Sequence, residues 1–347
     1  TLATLITSHR NHRGRGASCT ILTVKLKDPT GYGRIVRDKE GRFEKIVEER
    51  DTTDEQRQIE EVNAGVYCFF SKSLFKALGE LGNNNSQKEF YLTDVPEILR
   101  NAGEDVAIVQ HNDPQEVEGV NNRLQLADIE RLLRRNTVRK LMLDYGVTFL
   151  DPKAAYISQD SKFGRDVTIY PNVIIEGKSE IGDGSSIGQG VRISNSRIGR
   201  SVKILDHCVI TDAEVEDNCT VGPFAHLRGG AKTKENAKVG NFVELKNTIL
   251  GEGAKANHLA YLGDAEIGEN TNIGAGTITC NFDGKRKHKT RIGKNVKIGS
   301  DTMLVAPVEV GDEAATGAGS VVTKDVPPQT LVVGVPAKKV RKIENDR

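Results

Sequence analysis

Residues 163–194, FGRDVTIYPNVIIEGKSEIGDGSSIGQGVRIS, carry an apolar residue at every sixth position: Phe163, Ile169, Ile175, Ile181, Ile187 and Ile193. After a one-residue change of phase the series continues through Ile198, Ile204 and Ile210, then Val215, Val221 and Leu227, then Val239 and Leu245, then Tyr261, Ile267, Ile273 and Thr279. A last register runs Ile292, Ile298, Leu304, Val310, Thr316 and Val322. Glycine often follows the apolar residue, as at Gly182, Gly199, Gly240 and Gly274, and a small or β-branched residue such as Ser179, Cys219, Ala237, Ala265 or Thr290 often stands two positions before it. A period of six fits neither the 3.6 of a helix nor the 2 of a strand. It fits a triangular coil of three short flat strands, each sending one side chain inward and turning at a small residue. The reading is a parallel β-helix, and an aromatic content of 5% with no Trp suits an interior of stacked Ile and Val.

The rest of the composition bounds the function. With 347 residues two domains are expected, each large enough for its own core. Lys and Arg number 49 against 48 Asp and Glu, a net charge of +1, which leaves no global nucleic-acid footprint and points to small-molecule or protein partners. The five cysteines are widely spaced without a CxxC pair, so neither a disulfide framework nor a zinc cluster is expected. No run approaches the roughly 18 apolar residues of a membrane span, and TLATLITSHRNHRGRG at the start lacks a signal-peptide core, which implies a cytoplasmic protein.

Residues 1 to about 120 alternate strand-like pieces (CTILTVKL, VNAGVYCFF) with helical spacing (SKSLFKALGEL), an α/β pattern. A long helix with a stripe of Leu124, Leu126, Ile129, Leu132, Leu133, Leu141 and Met142 follows, an expected arm at 121–150 before a solenoid at 151–347. The stretches DPTGYGRIVRD, IVEERDTTDEQRQIEEVNAGVY, EFYLTDVPEIL and EVEGVNNRLQLA resemble the latter part of the nucleotidyltransferase domain in the bacterial bifunctional N-acetylglucosamine-1-phosphate uridylyltransferase/glucosamine-1-phosphate N-acetyltransferase family. That domain is Rossmann-like. The resemblance implies that Gly33, Glu48 and Asn63 contact the sugar of a UDP-sugar, UDP-N-acetylglucosamine in the family, and that Asn121 is a Mg2+ ligand. Family members begin with a Gly-rich phosphate loop and a metal-binding Asp that these residues lack. Phosphoryl transfer depends on positioning and charge neutralisation, so the expectation is a truncated and inactive uridylyltransferase half.

Deviations from the hexad carry the chemistry of the solenoid. GPFAHLRGGAK brings Arg228, VGNFVELKN brings Glu244 and Lys246, ANHLAYLGDAEIG brings His258, Tyr261 and Asp264, and NIGAGTITCNFDGKRKHKT inserts a loop between Thr279 and Ile292. An amino sugar phosphate presents an ammonium that must lose a proton before attacking a thioester, and a histidine suits that task as general base, here His258. Its phosphate needs cations, which Arg228 supplies as a planar fork and Lys246 as a point charge. Tyr261 and Asn272 can hydrogen-bond sugar hydroxyls, and either Glu244 or Asp264 could orient the imidazole.

These motifs, with IGSDTMLVAPVEVG, also resemble the acetyltransferase domain of the same family. The resemblance implies a left-handed β-helix and a homotrimer whose acetyl-transfer sites lie between subunits. Arg228, Lys246, Tyr261 and Asn272 would bind glucosamine 1-phosphate, with His258 as base, and Ala275, Asn281, Phe282, Ser300 and Ala318 would line the acetyl-CoA site. Two departures stand out. Phe282 replaces a common Tyr, and Gly334 and Val335 stand where some members place an Arg for the coenzyme phosphate, a charge that Lys338, Lys339 and Arg341 could replace. Two other classes compete: a catalytically silent trimeric scaffold, against which the His258, Arg228 and Lys246 set argues, and a β-helical zinc lyase, for which His207, His226 and His258 lack a shared-metal spacing.

Overall fold

The computed structural model describes residues 1–117, 119–120 and 122–342. The chain divides into two compact units, Thr1–Ala127 and Asp128–Arg347.

In the first unit five strands form one sheet: β1 (Cys19–Lys25), β2 (Arg34–Arg37), β3 (Phe43–Val47), β4 (Glu61–Phe69) and β5 (Val106–His111), in the order β3-β2-β4-β1-β5. Only β1 and β5 pair in parallel; the others pair antiparallel, so the α/β reading holds with a mixed sheet. Ile21, Ile35, Phe43 and Ile46 from the strands pack with Ala77, Val95 and Leu99 from the helices Ser71–Leu78 and Val95–Asn101.

The second unit is the expected parallel β-helix. Its strands stack into three faces, which begin with Thr148–Phe149 (face one), Tyr156–Ile157 (face two) and Lys162–Phe163 (face three). The hexad residues point inward in register: Ile187 stacks on Ile204 on face one, Ile193 on Ile210 on face two, and Ile181 on Ile198 on face three, all at most 2% exposed. The phase change at Ile198 recurs as a five-residue step from face two to face three, at 210–215, 245–250 and 262–267, because that corner needs one residue fewer in those coils. One hexad assignment is corrected. Leu262 faces inward opposite Leu245, whereas Tyr261 pairs with Glu244 and points outward, half-buried. Thr233, Leu250 and Ala256, which the sequence series passed over, complete the stack with buried side chains.

Along the helix Arg123–Tyr145 the expected leucine stripe is only partly used. Val138 and Leu141 join the solenoid core beside Val147 and Phe149, covering the open apolar end that a coil cannot close by itself. Leu124, Leu126, Leu133 and Met142 are exposed.

Two corner devices place the functional side chains. Neighbouring coils lie one strand spacing apart, about 4.8 Å, and glycine permits the closest approach: a Cβ on Gly240 would stand 1.8 Å from the Asn257 carbonyl oxygen. The corner between faces one and two carries left-handed residues that are not glycine, His207 (φ 57°), Phe224 (φ 54°), Phe242 (φ 55°) and Leu259 (φ 50°). Bulky side chains avoid this conformation unless something else holds them there. Here part of the compensation is stacking: the rings of His207 and Phe224, and of Phe224 and Phe242, lie 5.3 Å apart and nearly parallel.

Candidate active site

His258 ends the strand Lys255–His258 on face one, two residues past the inward Ala256. The residues in that same place on neighbouring coils form a column along the corner between faces one and two. Asn241 pairs directly with His258, and the register Ala256–Ile273–Ile298 puts Ala275 and Ser300 on the coils that follow. Ala318 continues the line, since the Gly319 N–H donates to the Ser300 carbonyl just as the Asp301 N–H donates to that of Ala275. Three of the residues expected to meet acetyl-CoA thus share one line with the expected base. Their small side chains leave the corner open beyond the imidazole.

The imidazole orientation differs from expectation. His258 Nδ1 lies 2.6 Å from Asn241 Oδ1, and neither Glu244 nor Asp264 is the partner. Both carboxylates are engaged elsewhere: Glu244 Oε1 accepts from Arg228 Nε at 2.7 Å, and Asp264 accepts from Lys246 Nζ at 3.0 Å and from Asn247 Nδ2 at 2.7 Å.

The cations gather at the other edge of face two. Arg228 and Lys246 occupy neighbouring strands in register, and the next place in that row is Gly263, followed by Asp264 at a left-handed corner (φ 51°). Asp264 is a buried hub that also accepts from the Asn281 side chain. Burial opposes its charge, but hydrogen bonds from Asn247, Lys246 and Asn281 outweigh that and hold its carboxyl below the usual range. Gly263 makes room for the cluster, because a Cβ there would stand 2.5 Å from the Tyr261 hydroxyl and 2.7 Å from Asn281 Nδ2. Tyr261 therefore reaches from the base side toward the cations along a strand of three residues, about 7 Å from end to end.

Lys287, on the inserted loop, is a member of this cluster that the sequence did not reveal. Its ammonium lies beside those of Lys246 and Arg228, and their positive charges hold it below the ordinary lysine range. Three cations here share two carboxylates, Glu244 and Asp264, which leaves one positive charge in excess that an anion could neutralise. Lys287 escaped notice because the loop interrupts the period that dates every other position. Asn241 had a usable signal: it precedes His258 by one 17-residue coil.

Some expected residues do not join. Asn272 lies on face one between Lys255 and Lys297, exposed and round the corner from Tyr261. Asn281 turns its side chain to Asp264 rather than to the column of Ala275, and Phe282 is 60% exposed on the loop. Lys338, Lys339 and Arg341 lie on the exposed strand Lys338–Lys342, paired antiparallel with Thr330–Val333. In the first unit Gly33, Glu48 and Asn63 do meet: the Asn63 N–H donates to the Gly33 carbonyl at 2.8 Å, and a Cβ on Gly33 would stand 3.5 Å from a Glu48 oxygen. Asn121 lies outside the described residues.

Residues 1–113 match the nucleotidyl transferase family model, and residues 160–195 and 289–324 match the bacterial transferase hexapeptide (six repeats) model. Over 323 residues the chain is 47% identical to the bifunctional protein GlmU of Syntrophomonas wolfei, covering 93% of this chain and 72% of that one. Over 322 residues it is 48% identical to the bifunctional protein GlmU of Pelobacter propionicus, covering 93% and 70%. The chain belongs to the GlmU family. Among solved structures, a UDP-N-acetylglucosamine acyltransferase of Francisella novicida aligns with 55% of this chain and 69% of that one, at 19% identity and a TM-score of 0.38. Membership in the GlmU family makes the protein a transferase, with a hexapeptide acetyltransferase solenoid following a nucleotidyltransferase unit. No helix among the described residues of this GlmU-family chain is long and apolar enough to cross a membrane.

Proposed function

We propose that the solenoid transfers the acetyl group of acetyl-CoA to the amine of glucosamine 1-phosphate, giving N-acetylglucosamine 1-phosphate. The observation that carries this reading is the pairing on one side of the coil of a histidine, at the head of a column of small side chains, with a cluster of cations. In the proposed step His258 Nε2 takes a proton from the substrate's ammonium, and the freed amine nitrogen bonds to the thioester carbonyl carbon and gives up a second proton as the amide forms. The C–S bond then breaks, and the coenzyme leaves as a thiolate that takes up a proton. Arg228, Lys246 and Lys287 hold the phosphate, Tyr261 spans the sugar between base and cations, and the coenzyme lies along Ala275, Ser300 and Ala318. Fixing amine and thioester in contact supplies the larger share of the acceleration, and the base supplies the proton transfer. The test is thiol release from acetyl-CoA with glucosamine 1-phosphate as acceptor; a folded chain that releases none would leave the silent scaffold as the better account.

A homotrimer is part of the proposal. Phe224, Phe242 and Leu259 are 48%, 55% and 61% exposed in one protomer, a strained apolar ridge beside His258. A second copy packed on the ridge would cover it. Asn272, pointing outward from face one, reaches a substrate on face two only where the faces of two copies meet. Phe242→Asp is expected to give a monomer by light scattering, with little acetyl transfer; a trimer of unchanged mass would remove the ridge from the interface.

The exposed basic strand is assigned to the coenzyme phosphates. Lys338→Ala with Lys339→Ala is expected to raise KM for acetyl-CoA by about 5- to 10-fold, the loss of one or two charge-assisted contacts at an exposed site, with KM for the sugar phosphate unchanged. An unaltered KM for acetyl-CoA would end that assignment.

In the first unit, Gly33, Glu48 and Asn63 are assigned to the sugar of UDP-N-acetylglucosamine. The Mg2+ of the family's uridylyl transfer has its one expected ligand at Asn121, and no group of three or more His, Cys, Asp or Glu side chains among the described residues could hold a metal ion. The same donor inventory counts against the zinc lyase, since His207 stacks on Phe224 while His258 bonds Asn241.

A further inference from the structure

We infer that Asn241 is the residue that orients the catalytic imidazole, fixing the tautomer of His258 through Oδ1. The inference rests on the acetyltransferase reading above and adds to it the group that makes His258 competent.

The geometry comes from the coil. Asn241 and His258 end neighbouring strands on face one and are paired in register, so their side chains leave the sheet side by side, one strand spacing apart. The Leu259 N–H donates to the Asn241 carbonyl at 3.0 Å, which locks the two backbones together at the point where both side chains emerge. Gly240 is required for this approach: a Cβ there would meet the oxygen, carbon and Cα of Asn257 at 1.8, 2.5 and 2.8 Å, all backbone atoms that cannot swing away. With the strands held so, His258 Nδ1 and Asn241 Oδ1 stand 2.6 Å apart.

An amide oxygen only accepts, so the neutral ring must carry its proton on Nδ1 and donate it. Its lone pair is then on Nε2, which is the nitrogen free of Asn241. When Nε2 takes a proton from the amine, the Nδ1–H bond to Oδ1 persists and becomes charge-assisted, so the same contact serves before and after transfer. A neutral partner also differs from a carboxylate in a useful way. A carboxylate beside the ring would favour the imidazolium at rest and leave less of the free base. The nearby carboxylates that could have played that part are bound to Arg228 and to Lys246.

The test uses the full chain and steady-state thiol release from acetyl-CoA with glucosamine 1-phosphate. Asn241→Ala is expected to lower kcat at least about 10-fold and by no more than the ~10²–10⁴-fold that the general base itself contributes, with both KM values near those of the parent. Asn241→Asp keeps the shape and accepts the same hydrogen bond, and so guards against loss by misfolding. Its negative charge stabilises the imidazolium, so the ring stays protonated to higher pH and the acid limb of the kcat/KM profile moves upward by about one unit. A purely structural role for Asn241 would not move that limb. Wild-type kcat in Asn241→Ala, or an unmoved limb in Asn241→Asp, would overturn the inference while a dead His258→Ala left the base assignment standing. If His258→Ala were fully active, the base assignment would fall and the role of Asn241 with it.

Discussion

His258→Ala is expected to reduce kcat for thiol release by about 10²- to 10⁴-fold, the range a positioned general base supplies, while KM for acetyl-CoA changes little. The change removes the ring from the head of the column and leaves Ala275, Ser300 and Ala318 as they are. It also frees Asn241 Oδ1, which is part-exposed and can turn to water, so little stability is lost. Because the base acts on an ammonium substrate, the variant should recover some rate at high pH, where more of the amine is already free. A rate unchanged at neutral pH would show that solvent removes the proton unaided and that His258 serves the fold.

Lys246→Met is expected to raise KM for glucosamine 1-phosphate by about 30-fold or more, with KM for acetyl-CoA unchanged. Removing one member of a desolvated charge pair costs about 2–5 kcal/mol, much of it the penalty on the member left behind. The side chains of Lys246 and Asp264 are 15% and 12% exposed, so the carboxylate that remains is poorly solvated and faces the incoming phosphate. The effect is therefore a change of sign at the site as well as a lost contact. Adding Asp264→Asn should recover part of the affinity, because the neutral amide keeps hydrogen-bonding capacity toward Asn247 and Asn281 without repelling phosphate. A double variant no better than the single one would place the phosphate away from Asp264, toward Arg228 alone. These two substitutions separate the site by function: one acts on kcat and the other on the KM of a single substrate.

Repetition made most of the solenoid readable. When core-forming residues recur at six-residue spacing through successive registers from Phe163 to Val322, a triangular coil is the arrangement that buries them, and Ile169 to Ile210 are inside as the spacing required. The single inward position read wrongly, Tyr261, shows where periodicity loses its grip. The step from Leu262 to Ile267 is five residues, so a count of six back from Ile267 lands on Tyr261, and only strand pairing assigns the inward slot to Leu262. In the first unit β1 and β4 were visible as strands, but β2 and β5 were not read and the sheet order was not legible, since β5 pairs with β1 between residues 87 apart in a stretch that carries no repeat.

The residue order was sufficient to name the coil, because a repeat converts position along the chain into position on a face; departures from the hexad singled out His258, Arg228 and Lys246, and the small residues Ala275, Ser300 and Ala318 came from the family resemblance. It was silent on who touches whom between coils. That Asn241 rather than Glu244 or Asp264 holds His258, that Asp264 gathers Lys246, Asn247 and Asn281, and that Lys287 folds back from its loop onto Lys246 all depend on contacts between segments 17 or more residues apart. Their partners are selected by backbone pairing, corner conformation and the room left by Gly240 and Gly263, and those quantities exist only once the coils are stacked.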